Sequence, residues 1–156
     1  MLLVVDNGSI YTKQLTDFLS EKNISFEKYT PYVLELNSLQ KFDSIILSGR
    51  RKNDKKINEV NSKIINFSIK NKKKLLGICY GAEILALTLG GTIRKTQSIQ
   101  KGNEIIEILK DDLITKNSIN VFESHAFEIS KLPNILTIIG KSNNCKYEII
   151  KHKENL

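Results

Sequence analysis

The sequence has little of several residue types, and each shortage excludes a class of protein. Among its 156 residues are two cysteines, two histidines and no tryptophan. Two cysteines cannot form a disulfide framework, and the Cys-x-x-Cys spacing of a metal knuckle is absent. No apolar run approaches the roughly 18 residues of a membrane span. We therefore expect a protein without a His-rich metal site, and a reducing cytoplasm is the simplest compartment for it.

The remaining composition is typical of a globular domain. Hydrophobic residues make up 40% of the chain and charged residues 26%, and the length suits one domain. The first residues, MLLVVDNGS, lack a basic segment and predict a strand rather than a signal peptide. The net charge is +7, but the lysines are scattered and aromatics are 7%. A solvated surface is the preferred interpretation over docking to an acidic protein, and no nucleic-acid partner is expected.

Hydrophobic periodicity changes character halfway along the chain. The first half alternates apolar strands with amphipathic helices; its strands are predicted at residues 2–5, 24–29, 43–47 and 74–79, and its helices at 10–22, 32–39, 57–71 and 80–89. From residue 92 only strands are predicted, at 105–109, 118–123, 136–139 and 147–150. We predict an α/β fold with an open, mostly parallel twisted sheet, helices on both faces and additional antiparallel strands in the C-terminal half. A single domain over residues 1–156 is expected.

The strongest chemical signal is the segment Gly77-Ile78-Cys79-Tyr80-Gly81, where a buried strand runs directly into a buried helix. A sharp strand-to-helix turn with flanking glycines is the arrangement of a nucleophile elbow, here with cysteine. Such a turn projects its side chain from the carboxyl edge of the sheet, and the N–H groups of the helix start favour a thiolate. Cys79 is therefore the predicted nucleophile. The alternative is a small buried residue at a strand end.

The elbow and three other segments resemble one family. The segment GICYGAEILALTLGG (residues 77–91) is similar to the nucleophile motif of the class I glutamine amidotransferases. The segments LLVVDNGSIYTKQL (2–15), SIILSG (44–49) and ESHAFEI (123–129) resemble, in the same order, segments of the glutaminase subunit of GMP synthases. The resemblance therefore spans essentially the whole chain, and it implies a glutaminase-like domain with a flavodoxin-like core.

The resemblance implies a reaction and assigns residues to it. Cys79 would attack the side-chain amide of glutamine, form a thioester and release ammonia. The backbone N–H groups of Tyr80 and of the Gly49-Arg50 turn would hold the oxyanion. The ammonia would pass to an ATP-dependent synthetase subunit, whose acceptor in GMP synthases is adenylated XMP. Neither a metal nor a cofactor is required for this chemistry.

Two positions near the expected site depart from the family pattern. The role of a further segment, which contains Ser124 and His125, is not decided by the sequence. Arg50 replaces a glycine and could crowd the pocket or change the backbone angles of the turn. Glu83 replaces a glutamine that helps recognise the substrate, and its charge would disfavour a thiolate nearby. The segment with Ser124 and His125 is expected near the mouth of the site, facing the synthetase. For His125 a structural or interface role is preferred over catalysis.

The largest departure is a missing His-Pro-Glu segment, which completes the catalytic triad in the family. The chain is therefore expected to lack the final strand and helix of the family. His152 and Glu154 form the only His-x-Glu sequence and are the candidate substitutes, although a solvated terminal histidine is preferred. Cys145 has no elbow and is predicted to be inert. The alternatives are a non-catalytic amidotransferase-like binding or regulatory module, and another Cys-elbow hydrolase.

Overall fold

The computed structural model describes residues 1–110 and 117–154 of the chain. It divides the chain into two compact units, Met1–Thr88 and Leu89–Leu156. The first unit holds a parallel sheet with its helices, and the second holds antiparallel strands. This is the predicted fold class, which is confirmed. Within the described residues, no helix is both long and apolar enough to cross a membrane.

The first unit is built on a four-stranded parallel sheet in the order β2-β1-β3-β4. Its strands are β1 (Leu2–Val5), β2 (Phe26–Tyr29), β3 (Ser44–Leu47) and β4 (Lys74–Gly77). Its helices are α1 (Thr12–Glu21), α2 (Lys55–Lys70) and α3 (Tyr80–Thr88), with a 3-10 helix at Leu36–Lys41 where the sequence predicts a short helix from residue 32. This strand order matches the start of the flavodoxin-like order.

The central strands bury both faces, which explains their continuous apolar runs. Leu3 and Leu47 belong to one core cluster together with Ile64 of α2 and Ile84 of α3. Their neighbours Val4 and Ile46 belong to a second cluster with Leu19 of α1. Because successive side chains of a strand point to opposite faces, the helices lie on both sides of the sheet, as predicted.

The second unit is a four-stranded antiparallel sheet in the order β6-β5-β7-β8. Its strands are β5 (Thr92–Ile108), β6 (Ser118–Lys131), β7 (Leu136–Lys141) and β8 (Ile149–His152). The strands β5 and β6 are far longer than predicted, because their backbones pair where the sequence has few apolar residues. The register of β5 against β6 shifts between Lys95 and Gln100, which further interrupts the alternation of apolar and polar residues along β5.

Two glycines shape the junction between β4 and α3. A Cβ added to Gly77 would lie 2.4 Å from the backbone carbon of Gly81. A Cβ added to Gly81 would lie 2.4 Å from the backbone oxygen of Leu47 on β3. Both distances are far inside van der Waals contact, so the helix can start this close to the sheet only with glycine at both positions. The same Leu47 oxygen accepts the N–H of Ile78 at 2.9 Å.

The first prediction tests this close approach with Gly81→Ala. An alanine normally stabilises a helix over glycine by roughly 0.5–1 kcal/mol. Here we expect the opposite sign, a loss of about 2 kcal/mol in the free energy of unfolding, because the new methyl group overlaps a backbone oxygen. Urea denaturation followed by circular dichroism measures it. The control is Leu87→Ala on the same helix, where the side chain is 38% exposed and the change should stay within about 0.5 kcal/mol. A Gly81→Ala variant as stable as the parent would contradict the packing argument.

The second prediction concerns Asp54, which caps α2 by accepting the N–H of Ile57 at 3.0 Å. This backbone hydrogen bond, and then one from Tyr32, lower the pKa of Asp54 below its ordinary value of 3.8. The folded state thus prefers the carboxylate, and the stabilisation is lost as pH falls through the lowered pKa. We expect Asp54→Ala to reduce Tm at neutral pH, with the difference from the parent shrinking below pH 3.8.

The matched control for this titration is Asp54→Asn. Asparagine keeps an acceptor oxygen for Ile57 but does not titrate, so it should retain most of the cap at neutral pH. A Tm difference between Asp54→Ala and the parent that is the same in acid and at neutral pH would count against a charged cap.

Candidate active site

Cys79 occupies a strained backbone position at the end of β4. Its φ is +53°, in the left-handed region that non-glycine residues rarely adopt. The carbonyl of Cys79 accepts the N–H groups of Ala82 at 2.9 Å and Glu83 at 3.0 Å, so the helix begins directly after it. The residue is exposed. A left-handed residue between a strand and a helix is the backbone conformation that a nucleophile elbow requires.

The loop after β3 lies beside the elbow. Leu47 pairs with Gly77 in the parallel register, so both strands end at the same edge of the sheet. A Cβ added to Gly49 would lie 3.7 Å from the Cβ of Cys79. The structure therefore places Gly49 beside Cys79, and Tyr80 follows Cys79 in the chain. Tyr80 is the first residue of α3, and the N–H groups of a first helical turn have no acceptor within the helix.

A buried amide network holds this edge of the sheet. The backbone N–H of Asn7 donates to the Ser48 hydroxyl at 2.9 Å, and the Asn7 amide donates to the Ser48 carbonyl at 2.9 Å. The Asn61 amide on α2 donates to the Asn7 side-chain oxygen at 2.7 Å and to the Ile57 carbonyl at 2.8 Å. These bonds fix the loops after β1 and β3 to each other, and thereby fix the backbone that leads into Gly49.

The sequence interpretation missed this network, although the sequence contains one usable signal. Asn61 lies one helical turn after Ile57 and one turn before Ile65, on the apolar stripe of α2. It is fully buried. A polar residue on a buried face needs hydrogen-bond partners, so its position alone indicates a network in the core.

Arg50 is held against Tyr80. Its guanidinium carbon lies 3.9 Å from the centre of the Tyr80 ring, a cation–π stack. The guanidinium donates to the side-chain oxygens of Asn58 and Asn53, and the Tyr80 hydroxyl donates to Asn58 at 2.8 Å. Burial raises the pKa of Tyr80 to about 12. The φ of Arg50 lies outside the left-handed region, so arginine does not strain the turn there.

Glu83 lies in the first turn of α3 and is only 9% exposed. A carboxylate in this turn interacts favourably with the positive end of the helix dipole. Burial has the largest effect on the pKa of Tyr80 and raises it. Arg50 lowers this pKa, and the negative charge of Glu83 raises it. The structure thus brings Glu83 and Arg50 to the same tyrosine, next to the elbow.

The other predicted site residues belong to the second unit. Ser124 and His125 lie on β6, where they pair with Lys101 and Gln100 of β5. Ser124 is exposed, whereas the His125 side chain is 14% exposed. His125 Nδ1 lies 2.8 Å from the Phe127 carbonyl, and Nε2 lies 3.3 Å from a Glu123 carboxylate oxygen.

The candidate base His152 ends β8. Its Nδ1 accepts the backbone N–H of Glu154 at 3.2 Å. The other ring nitrogen, Nε2, is buried. Cys145, the second cysteine, is 6% exposed, and burial raises its pKa to about 12.

Comparisons with known proteins give one consistent result. The family model for the class I glutamine amidotransferases matches residues 3–156. A GMP synthase (glutamine-hydrolyzing) of Hamiltonella defensa is 30% identical over 98% of the chain, which spans 31% of that protein. A GMP synthase (glutamine-hydrolyzing) subunit of Methanocaldococcus jannaschii is 28% identical over 98% of the chain, which spans 81% of that relative.

Solved structures agree with the sequence relatives. A structure described as a GMP synthase subunit of Thermoplasma acidophilum superposes with a TM-score of 0.86 at 25% identity. The match covers 99% of this chain and 78% of the Thermoplasma chain. A glutamine amidotransferase of Thermotoga maritima has the same fold, with a TM-score of 0.80 at 21% identity, covering 97% of this chain and 70% of its own. The chain belongs to the class I glutamine amidotransferase family and is similar to the glutaminase subunit of GMP synthase.

Proposed function

We propose that the chain is a glutaminase domain that hydrolyses the side-chain amide of glutamine through Cys79. The observation that carries this proposal is the left-handed backbone of Cys79 at the β4–α3 junction, with the Gly49 loop beside it. The family membership supplies the substrate class. Strain of this kind persists only where the surrounding structure maintains it, and here Gly77 and Gly81 allow the required close packing.

The reaction follows from groups at the elbow. The Cys79 thiolate adds to the amide carbon, and the carbonyl oxygen becomes an oxyanion. The backbone N–H groups of Tyr80 and of the Gly49-Arg50 turn are the proposed donors to it. Collapse of this intermediate, with a proton added to the leaving nitrogen, releases ammonia and leaves a thioester. Water then adds to the thioester, giving glutamate and the thiol.

The buried network supports this chemistry by positioning. An oxyanion donor is effective only when it is fixed before the reaction. The hydrogen bonds among Asn7, Ser48 and Asn61 fix the chain that enters Gly49. These residues are therefore positioning residues.

The proposed acceptor of the ammonia is an ATP-dependent synthetase. This proposal rests on two relatives, one named as a GMP synthase (glutamine-hydrolyzing) and the other as one subunit of such an enzyme. GMP synthesis from adenylated XMP is the corresponding overall reaction. An amidotransferase-like module that binds without hydrolysing is the second candidate, and it is favoured by the buried Glu83 carboxylate close to the elbow.

The third prediction decides between these candidates. We expect an electrophilic glutamine analogue to label the chain once, at Cys79, and excess glutamine to slow the labelling. Intact mass and the modified peptide identify the site. Cys145 is the internal control, because a buried thiol with a pKa of about 12 stays protonated and unreactive until the chain is denatured.

A generic small alkylator separates the possible failures. If it modifies Cys79 while the glutamine analogue does not, the thiol is accessible but no glutamine pocket is formed, and the binding module replaces the glutaminase as the proposed function. Labelling of Cys79→Ser would show that the analogue reacts elsewhere.

The fourth prediction concerns His152 as the base. We expect His152→Ala to change the rate of Cys79 labelling by less than about twofold, because Nδ1 already accepts the Glu154 N–H and Nε2 is buried. A general base contributes typically 10²–10⁴-fold. A fall of about 100-fold in the labelling rate, with circular dichroism unchanged, would instead assign His152 as the base.

A further inference from the structure

Three side chains of the second unit converge outside the proposed glutaminase chemistry. Glu123 and His125 are two residues apart on β6 and thus point to the same side of the strand. Glu148 approaches them from the segment between β7 and β8. One ligand atom from each residue lies within 4.8 Å of the other two. The Glu123 and His125 side chains are only 15% and 14% exposed, so this is not an open acidic surface.

The tautomer of His125 is determined by a neighbour outside this trio. Its Nδ1 lies 2.8 Å from the Phe127 carbonyl, which can only accept a hydrogen bond. Nδ1 therefore carries a proton. In the neutral ring, Nε2 then presents its lone pair toward Glu123, at 3.3 Å. A ring N–H donated to a backbone carbonyl, with the other nitrogen toward acidic side chains, is the arrangement behind most metal-binding histidines.

A hydrogen bond from a neighbouring serine fixes the position of the Glu148 carboxylate. The Ser142 hydroxyl donates to Glu148 at 2.6 Å and orients its carboxylate. Two half-buried carboxylates at this separation repel each other, and a bound cation, like a protonated His125 ring, would relieve that repulsion.

We propose that Glu123, His125 and Glu148 bind a divalent first-row transition metal ion, through two carboxylate oxygens and the Nε2 of His125. One nitrogen and two oxygen donors suit Zn²⁺, whereas Mg²⁺ and Ca²⁺ prefer oxygen alone. Three protein ligands leave a fourth position for water. The ion would join the segment before β8 to β6, and so would stabilise the second unit. Glutamine hydrolysis through a thioester does not require it.

The fifth prediction tests the site by titrating Zn²⁺ into the chelator-treated chain in an isothermal calorimeter. A Cys79→Ser background removes the exposed thiol as a competing ligand. We expect one Zn²⁺ per chain, and His125→Ala and Glu148→Gln should each weaken the affinity by at least about 100-fold, since loss of orienting groups alone costs 10–100-fold. The matched control is Glu107→Gln, the same chemical change on β5, where the side chain is 65% exposed and pairs with Lys141. Its affinity should equal that of the background.

Thermal unfolding provides the second readout. Saturating Zn²⁺ should raise Tm of the background and of Glu107→Gln, but not of the ligand variants. If His125→Ala fails to fold, Glu123→Gln removes a ligand with little change in shape and must show the same loss. Affinity that all variants share, or no binding at ~100 µM Zn²⁺, would overturn the metal site and leave the trio as a proton-sharing structural cluster.

Discussion

The structure depends on the contact between Gly81 and the Leu47 carbonyl. This contact brings α3 against β3 closely enough that the chain must turn within one residue, and that residue is Cys79 with φ +53°. The same Leu47 oxygen accepts the Ile78 N–H, so the edge of the sheet and the start of the helix share one anchor. A larger residue at either glycine would move the helix away and relax the turn. The exposed thiol is thus a consequence of backbone packing two residues away from it.

Much of this could be predicted from the sequence because local and long-range signals agree. The strands of the first unit are continuous apolar runs, and parallel strands buried on both faces require such runs. The glycines at 77 and 81 indicate the elbow because no other residue fits there. The extent of β5 and β6 could not be predicted. Ile99 and Phe122 on these strands are 71% and 57% exposed, so apolar residues occupy exposed positions and the hydrophobic alternation that normally reveals a strand is weak.

The polar groupings were the least predictable part, for a physical reason. Asn7, Ser48 and Asn61 come from three distant segments, and only the folded register brings their amides within hydrogen-bond distance. Likewise, Glu148 reaches Glu123 through the path of the chain between β7 and β8. The spacing of residues along a sequence does not reveal contacts between distant segments. A buried polar residue on an apolar stripe, as at Asn61, shows that partners exist but not which ones.

Arg50 and Glu83, the two residues expected to depart from the family pattern near the elbow, both affect Tyr80. Burial has the largest effect on the pKa of Tyr80 and raises it; the Arg50 guanidinium, stacked on the ring, lowers it, and the Glu83 carboxylate raises it. A positive and a negative group flank the residue whose backbone N–H is the proposed oxyanion donor. Charges in a half-buried region are costly unless they have partners, and these two groups carry opposite signs. Together they leave its net charge close to that of two neutral residues. Arg50 and Glu83 therefore act on Tyr80 in opposite directions, and the electrostatic effect of either residue on this tyrosine depends on the presence of the other.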